Sequence, residues 1–290
     1  MKAVIPAAGL GTRLLPATKE MPKEMLPLFA PGPDGAILLK PVLQLIFEQL
    51  LEAGFREFCF VVGRGKRAIE DHFTPDGDYL AMLSRRGRAD AAGALGGFYA
   101  DLGRATLIYV NQPEPRGFGD AVLRAKPFVG GEKFLVQAGD THILSEGHGH
   151  LRRLIEASER LGADAALLIQ RRGSAKGYGV VEARAVGDGL YEVERAVEKP
   201  EEPPSNLAIM PVYIFKPSIF GALEAIGPGV GGELQLTDGI QALIEMGKRV
   251  CAVELGRGEE RLDVGTLETY WEALRASYRY ARKLNRSRGP

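Results

Sequence analysis

With 290 residues, 45% of them hydrophobic, and only two cysteines, the chain can bury a sizeable core without disulfides or a structural metal. Lysine plus arginine and aspartate plus glutamate both total 37, so no global field draws it to nucleic acid or to an anionic membrane surface, and any grip on phosphate must be local. No signal peptide precedes the first strand, and no apolar run approaches the roughly 20 residues that span a bilayer, so the expectation is a cytoplasmic protein with no nucleic-acid and no membrane partner.

The apolar run Val4-Ile5-Pro6 reads as a strand, and the segment behind it, Ala7-Ala8-Gly9-Leu10-Gly11-Thr12-Arg13-Leu14, as a phosphate-binding loop. Two glycines let backbone N–H groups approach an anion, and Arg13 adds charge that a simple turn does not need. The stretch runs on through Pro16, Pro22 and Pro27 and brings Lys19 and Lys23 toward Arg13. The dinucleotide fingerprint wants a third small residue where Leu14 stands, and the P-loop wants Gly-Lys-Ser/Thr where Leu14-Leu15-Pro16 stand, so neither motif fits. An ordinary strand-to-helix turn with solvated lysines is the plain alternative.

Further along, Pro31 to Gly35 reads as a turn. Strand-like runs at Glu57 to Val62, Thr106 to Val110 and Lys133 to Gln137 alternate with helical periods at Val42 to Ala53, Lys66 to Phe73, Ala121 to Phe128 and Leu151 to Leu161. That alternation implies βαβ units and a parallel sheet. Strands with little helix between them follow at Ala165 to Gln170, Gly179 to Arg184, Tyr191 to Glu198 and Ala208 to Phe215, before helices return at Gln235 to Met246 and Thr266 to Leu284. The expected fold is α/β over the whole chain: a Rossmann-like mixed, mostly parallel sheet flanked by helices, with a smaller β extension. Cys59 and Cys251, in separate apolar runs, read as buried reduced thiols.

Ligands of an α/β sheet sit at the carboxyl ends of its strands, so loops that follow strands should converge on one cleft. Besides the opening loop, Gln112 to Asp120 meets this condition, with Gly117 and Gly119 around Phe118 ahead of a helix that Asp120 could instead cap. Ala138-Gly139-Asp140-Thr141-His142 puts an acid just past Phe134-Leu135-Val136, where a carboxylate can ligate Mg²⁺, and Asp263 in Arg261-Leu262-Asp263-Val264-Gly265 is its natural partner or a helix cap. The four histidines make no metal site, and His148 and His150, flanking Gly149, read as a solvated polar loop.

The string from Gly9 to Pro27, GLGTRLLPATKEMPKEMLP, resembles the opening signature of the bacterial UTP:glucose-1-phosphate uridylyltransferases, members of the sugar nucleotidyltransferases. Val197-Glu198-Lys199-Pro200, Pro204 to Ile209 and Gln235-Leu236-Thr237-Asp238 resemble that family's later blocks in the same order, so the resemblance spans nearly the whole chain. It implies the nucleotide-diphospho-sugar transferase fold, with a nucleotide-binding half to about residue 145, a sugar-binding half to about residue 265 and a C-terminal helix beyond. It also implies Mg²⁺-dependent transfer of a uridylyl group from UTP to glucose-1-phosphate by a homo-oligomer, a dimer or tetramer.

Carried over residue by residue, Ala8, Gly9, Gly11 and Thr12 would cradle the nucleotide while Gln112 and Gly117 read the base. Arg13 would steady the leaving pyrophosphate, Lys23 the α-phosphoryl group and Lys199 the attacking phosphate. Gly179 and Glu198 would hold the sugar, and Asp140 with Asp263 the metal. Some positions depart from the pattern: Asp120 stands where a histidine is common, Phe118 replaces a leucine, Gly139-Asp140 resembles a thymidylyltransferase acid motif, Met210-Pro211 replaces a glycine and a basic residue, and Ala30 to Leu39 reads as an insertion. A thymidylyl- or cytidylyltransferase acting on a related sugar phosphate, and a non-catalytic sugar-nucleotide sensor, therefore stand as alternatives.

Overall fold

Strict alternation of apolar residues within continuous hydrophobic strands decides the architecture, because successive side chains enter opposite faces of a sheet that must be covered on both. The computed structural model describes residues 1–32 and 35–287. In chain order its elements are β1 (Lys2–Pro6), β2 (Pro27–Pro31), β3 (Ile37–Pro41), α1 (Val42–Glu52), β4 (Glu57–Val62), α2 (Arg67–His72), α3 (Gly77–Arg85), α4 (Ala89–Leu102), β5 (Thr106–Asn111), α5 (Phe118–Arg124), α6 (Lys126–Val129), β6 (Phe134–Gln137) and β7 (Thr141–Leu144). The chain continues through α7 (Gly149–Arg160), β8 (Ala165–Arg171), β9 (Val180–Gly187), β10 (Leu190–Val197), β11 (Leu207–Phe215), α8 (Ser218–Ala225), α9 (Leu236–Glu245), β12 (Val250–Glu254), β13 (Glu260–Asp263) and α10 (Leu267–Ser287).

Nine strands form one sheet in the order β5-β4-β1-β6-β11-β8-β12-β10-β9. The first four are parallel, as the βαβ alternation predicts, while β11 runs antiparallel to both β6 and β8 and joins the two halves of the chain in a single sheet. The register of β11 against β8 slips between Met210 and Tyr213. Pro211 sits in that irregularity, where a residue without an N–H is tolerated, and its carbonyl accepts from the Ala138 N–H at 3.0 Å.

Ala3, Ile5, Phe58, Phe60 and Leu135 point into one core, covered by α1, α2, α4, α7 and α10. Their neighbours Val4, Cys59, Val61, Phe134 and Val136 enter the other, covered by α5, α6, α8 and α9. Both cysteines are buried and free. The first core is centred on Phe47 of α1, whose ring meets Phe58 at 4.8 Å and Phe73 at 5.5 Å between centroids.

Several elements escape the sequence pattern. The segment Ala30 to Leu39, expected as an insertion, lies in a β2–β3 hairpin, its Pro33 and Asp34 lying outside the described residues. The hairpin packs on α10, where Ser277 Oγ accepts from the Phe29 N–H and Tyr270 donates to the Pro27 carbonyl at 3.1 Å. Helix α3 buries no residue, and α4 carries Gly93, Gly96 and Gly97, which weaken its helix propensity and its amphipathic period. The helix expected over Ala121 to Phe128 instead begins at Phe118 and is divided at Ala125.

Phe47→Ala should cost about 3–5 kcal/mol in urea unfolding, the range for a fully buried phenylalanine. Met246→Ala, at an exposed position, should stay within about 0.5 kcal/mol in the same titration.

Candidate active site

Strand β1 lies between β4 and β6, and the ladder extends past it through the Ala7 N–H, which donates to the Val61 carbonyl at 2.8 Å. The chain then leaves the sheet. Gly11 adopts φ 68°, a left-handed conformation that only glycine enters without strain, and its carbonyl accepts from Thr18 Oγ1 at 2.8 Å to close the loop. A Cβ on Gly9 would stand 3.7 Å from Lys23 Nζ, so the ammonium lies directly beside the glycine loop.

Lys23 sits in a short helical turn whose next residue, Glu24, is 1% exposed and accepts from Lys66 Nζ at 2.8 Å. Lys23 itself donates to Asp140 Oδ2. Burial would push the lysine pKa down, but Asp140, and Glu24 behind it, outweigh burial and hold it above its ordinary value. Burial likewise acts to raise Asp140, and the Lys23 ammonium, helped by Arg261, overrides it and lowers the carboxyl below the usual range.

A small antiparallel ladder sets the second carboxylate. β7 pairs with β13 so that Thr141 stands opposite Asp263, and the Val264 N–H donates to the Asp140 carbonyl at 2.9 Å. Thr141 Oγ1 lies 3.4 Å from Asp140 Oδ1 and 3.5 Å from Asp263 Oδ1, so one hydroxyl stands between the two acids. Arg261 donates to Asp263 Oδ1 at 2.6 Å. A Cβ on Gly265 would come 2.8 Å from Asp263 Oδ2 and 3.5 Å from Arg13 Nη2, so the glycine makes room for both side chains. Thr266 and Thr269 satisfy each other's amides at the start of α10, so Asp263 is not needed as its cap.

Across the cleft, Thr237 Oγ1 donates to Glu198 Oε2 at 2.6 Å, and Glu198 Oε1 lies 2.9 Å from Lys199 Nζ. Gly179 faces this pair, since a Cβ there would meet Thr237 Oγ1 at 2.9 Å and Glu198 Oε2 at 3.0 Å. Lys199 holds φ 40°, unusual for a residue with a side chain, and its N–H donates to the Tyr178 carbonyl at 3.2 Å. The Tyr178 ring carries the guanidinium groups of Arg172 at 4.8 Å and Arg261 at 5.5 Å.

At the third corner Gln112 Nε2 donates to Asp120 Oδ2 at 2.8 Å and to the Gly117 carbonyl at 3.1 Å. Gly117, not Asp120, occupies the N-cap of α5, and the Asp120 carboxylate turns instead to Gln112 and Arg124.

These corners enclose one cleft of about 740 Å³, and every sequence-derived site residue lines it: Ala8, Gly9, Gly11, Thr12, Arg13, Lys23, Gln112, Gly117, Asp140, Gly179, Glu198, Lys199 and Asp263. Lys19 does not join them; it is exposed and pairs with Glu20 at 3.0 Å. Thr237, Tyr178 and Arg261 also line the cleft. Thr237 lies inside the Gln235-Leu236-Thr237-Asp238 block, and Arg261 precedes Asp263 by two residues in a strand, which places both on one face.

The polar loop expected around His148 and His150 is replaced by the start of α7, with His150 fully buried and His148 bonded to Glu52 at 2.8 Å. Among the described residues no cluster of three or more histidine, cysteine or acidic side chains could hold a metal by itself. A pair of carboxylates on either side of one hydroxyl suits Mg²⁺, which takes one or two protein acids and draws its other oxygens from substrate phosphate and water.

A family model for nucleotidyl transferases matches residues 2–279. The chain is 38% identical to a UTP–glucose-1-phosphate uridylyltransferase of Pseudomonas aeruginosa across 99% of each chain. It is 43% identical to the enzyme of that name from Streptococcus pneumoniae, over 91% of this chain and 85% of the relative. Among solved structures, a UDP-glucose pyrophosphorylase complexed with UDP-glucose superposes with TM-score 0.81 at 32% identity, covering 96% of this chain and 98% of that one. A UTP-bound UGPase from Acinetobacter baumannii gives TM-score 0.81 at 28% identity, over 95% and 92% of the two chains.

The buried histidines make stability depend on pH. Burial pushes His142 down to about 3 and His150 down to about 4 from the ordinary 6.5. Between 6.5 and those values the folded chain binds fewer protons than the unfolded one, so this part of the stability is complete above pH 6.5 and drains away as pH falls through 4 toward 3. Thermal midpoints should decline across that window, and His150→Leu should flatten the decline; an unaltered slope would put its origin elsewhere.

Proposed function

The chain belongs to the nucleotidyl transferase family, and from that premise we propose that it transfers a uridylyl group from UTP to glucose-1-phosphate, forming UDP-glucose and releasing pyrophosphate. The observation that carries this reading is a single cleft with Arg13 and Lys23 at the glycine loop on one wall and Lys199 beside Glu198 on the other. A reaction that brings two phosphates together needs cations on both sides and a carboxylate for sugar hydroxyls between them.

In this reaction a phosphate oxygen of the sugar attacks the α-phosphorus in line, a new P–O bond forms, and the bond to the β-phosphate oxygen breaks as pyrophosphate departs. A phosphate monoester is already nucleophilic near neutral pH, so the protein's task is to position two anions and neutralise developing charge. The loop amides of Ala8, Gly9, Gly11 and Thr12 receive the triphosphate, Arg13 steadies the leaving pyrophosphate, and Lys23, beside Gly9, meets the α-phosphoryl group. Lys199 holds the attacking phosphate. Glu198, oriented by Thr237, accepts from sugar hydroxyls where Gly179 leaves space, and Gln112 with Gly117 meets the base. Asp140 and Asp263 would hold Mg²⁺, whose contribution is to neutralise charge on the phosphate oxygens.

The same proposal divides the chain into a nucleotide half to about residue 145, a sugar half to about residue 265 and a terminal helix. It places the protein in the cytoplasm as a homo-oligomer, for which α10 offers an outer face with Leu267, Trp271 and Tyr278 exposed. No helix among the described residues is long and apolar enough to cross a membrane. A non-catalytic sensor is disfavoured because Arg13, Lys23 and Asp140 all stand in the cleft.

Pyrophosphate release, measured with UTP, dTTP, CTP, ATP and GTP against a panel of sugar-1-phosphates, tests the reading. Fast release should require UTP and glucose-1-phosphate, and another preferred pair would replace the named substrates. Lys23→Ala should lower kcat by about 10²–10³-fold at temperatures where the variant is still folded, the size of effect seen on removing one charge-stabilising donor. Near-normal turnover in that variant would refute the role. Chelation of divalent ions should abolish release, and added Mg²⁺ should restore it.

A further inference from the structure

We propose that Asp120 selects the base by fixing the side-chain amide of Gln112, so that only its acceptor, Oε1, is offered to the nucleotide and cytosine is refused. This rests on the reading of the cleft as a uridylyltransferase site.

A glutamine amide turned by half a rotation exchanges donor for acceptor with almost no change in shape, so an unrestrained glutamine reads either kind of edge. Gln112 is restrained. Both Nε2 hydrogens are taken, one by Asp120 Oδ2 at 2.8 Å and one by the Gly117 carbonyl at 3.1 Å. Neither partner can donate, so the turned amide would set oxygen against two acceptors in a site where Gln112 is 5% and Asp120 6% exposed.

Both partners are themselves immobile. Asp120 Oδ1 accepts from Arg124 Nη2 at 3.2 Å, one turn along α5. Gly117 is pressed so closely on the neighbouring segment that a Cβ would fall 2.6 Å from the Leu234 carbonyl oxygen, and that segment is tied down by the Leu234 N–H to the Arg116 carbonyl and the Gly119 N–H to the Leu234 carbonyl, each at 2.8 Å. The Gln112 N–H donates to the Val62 carbonyl at 2.7 Å. What remains on this cleft-lining side chain is Oε1.

Uracil and thymine place an N3–H where cytosine has a bare ring nitrogen. With N3 seated against Oε1, the first two donate to it and cytosine opposes one lone pair with another. The pair therefore separates keto pyrimidines from cytosine and is blind to the difference between UTP and dTTP.

Affinities for UTP and CTP, measured by calorimetry with Mg²⁺ present, and kcat/KM for both with glucose-1-phosphate, test this in the wild type, Asp120→Asn, Asp120→Ala, Gln112→Ala and Asp120→Asn/Gln112→Ala. The wild type should prefer UTP by on the order of 10²-fold or more. Asp120→Asn can donate to Oε1 and let the amide turn, so the UTP:CTP ratio should fall by about tenfold, mainly through KM. Gln112→Ala should lose the ratio as well, and the double variant should lose no more than Gln112→Ala. An unchanged ratio in both Asp120 variants, or an equal loss for both nucleotides, would overturn the proposal. A wild type that binds UTP selectively but releases no pyrophosphate would sink the reaction and leave this selection standing. A wild type that turns over UTP and CTP alike would do the reverse.

Discussion

Lys23 and Asp140 meet where the central parallel strands end, both largely withdrawn from water, and neither could stay charged there without the other. The same constraint repeats around them: Lys66 with Glu24 beneath the loop, and Arg261 with Asp263 at the end of β13. Pairs of this kind add little to stability, since apolar residues of similar volume serve as well or better, while removing one member leaves an uncompensated buried charge at a cost of about 3–5 kcal/mol. Stability does not account for three such pairs around one cleft. In the proposed reaction, cations such as Lys23 would already be positioned and partly dehydrated before an anion arrives.

The rest of the architecture serves to bring these charges within reach of one another. β1 and β6 deliver the opening loop and Asp140 side by side, and the β7–β13 ladder returns Asp263 from far along the chain to stand opposite Thr141. Glycines mark the points of closest approach. A Cβ on Gly139 would lie 3.1 Å from the Pro6 carbonyl oxygen and one on Gly265 would press on the Asp263 carboxylate at 2.8 Å, so both positions are tight.

Much of this is legible in the sequence because its signals are local. Two glycines after a hydrophobic run, an arginine two residues later and an acid just past a strand each declare a chemistry within a few positions, and those residues line the cleft. The partners of the charges are less legible, since Lys66 with Glu24 and Arg172 with Tyr178 depend on tertiary contacts that no period reports. Hairpin β2–β3 is hidden by its prolines, which read as loop although a two-stranded pair tolerates them at its ends. His150 misleads in the opposite direction: a polar neighbourhood in sequence becomes a buried helix start once Leu151 and Leu154 pack into the core.

Strand β11 bonds along one edge to β6 and along the other to β8. A strand shared in this way leaves no seam in the sheet along which the first half of the chain could swing away from the second. The strands that lead to the Gln112 corner and to the Glu198 corner are therefore held in one hydrogen-bonded frame. Such a frame acts as a ruler for the strand ends, so accommodation of a longer or shorter substrate falls to the loops and side chains that those ends carry.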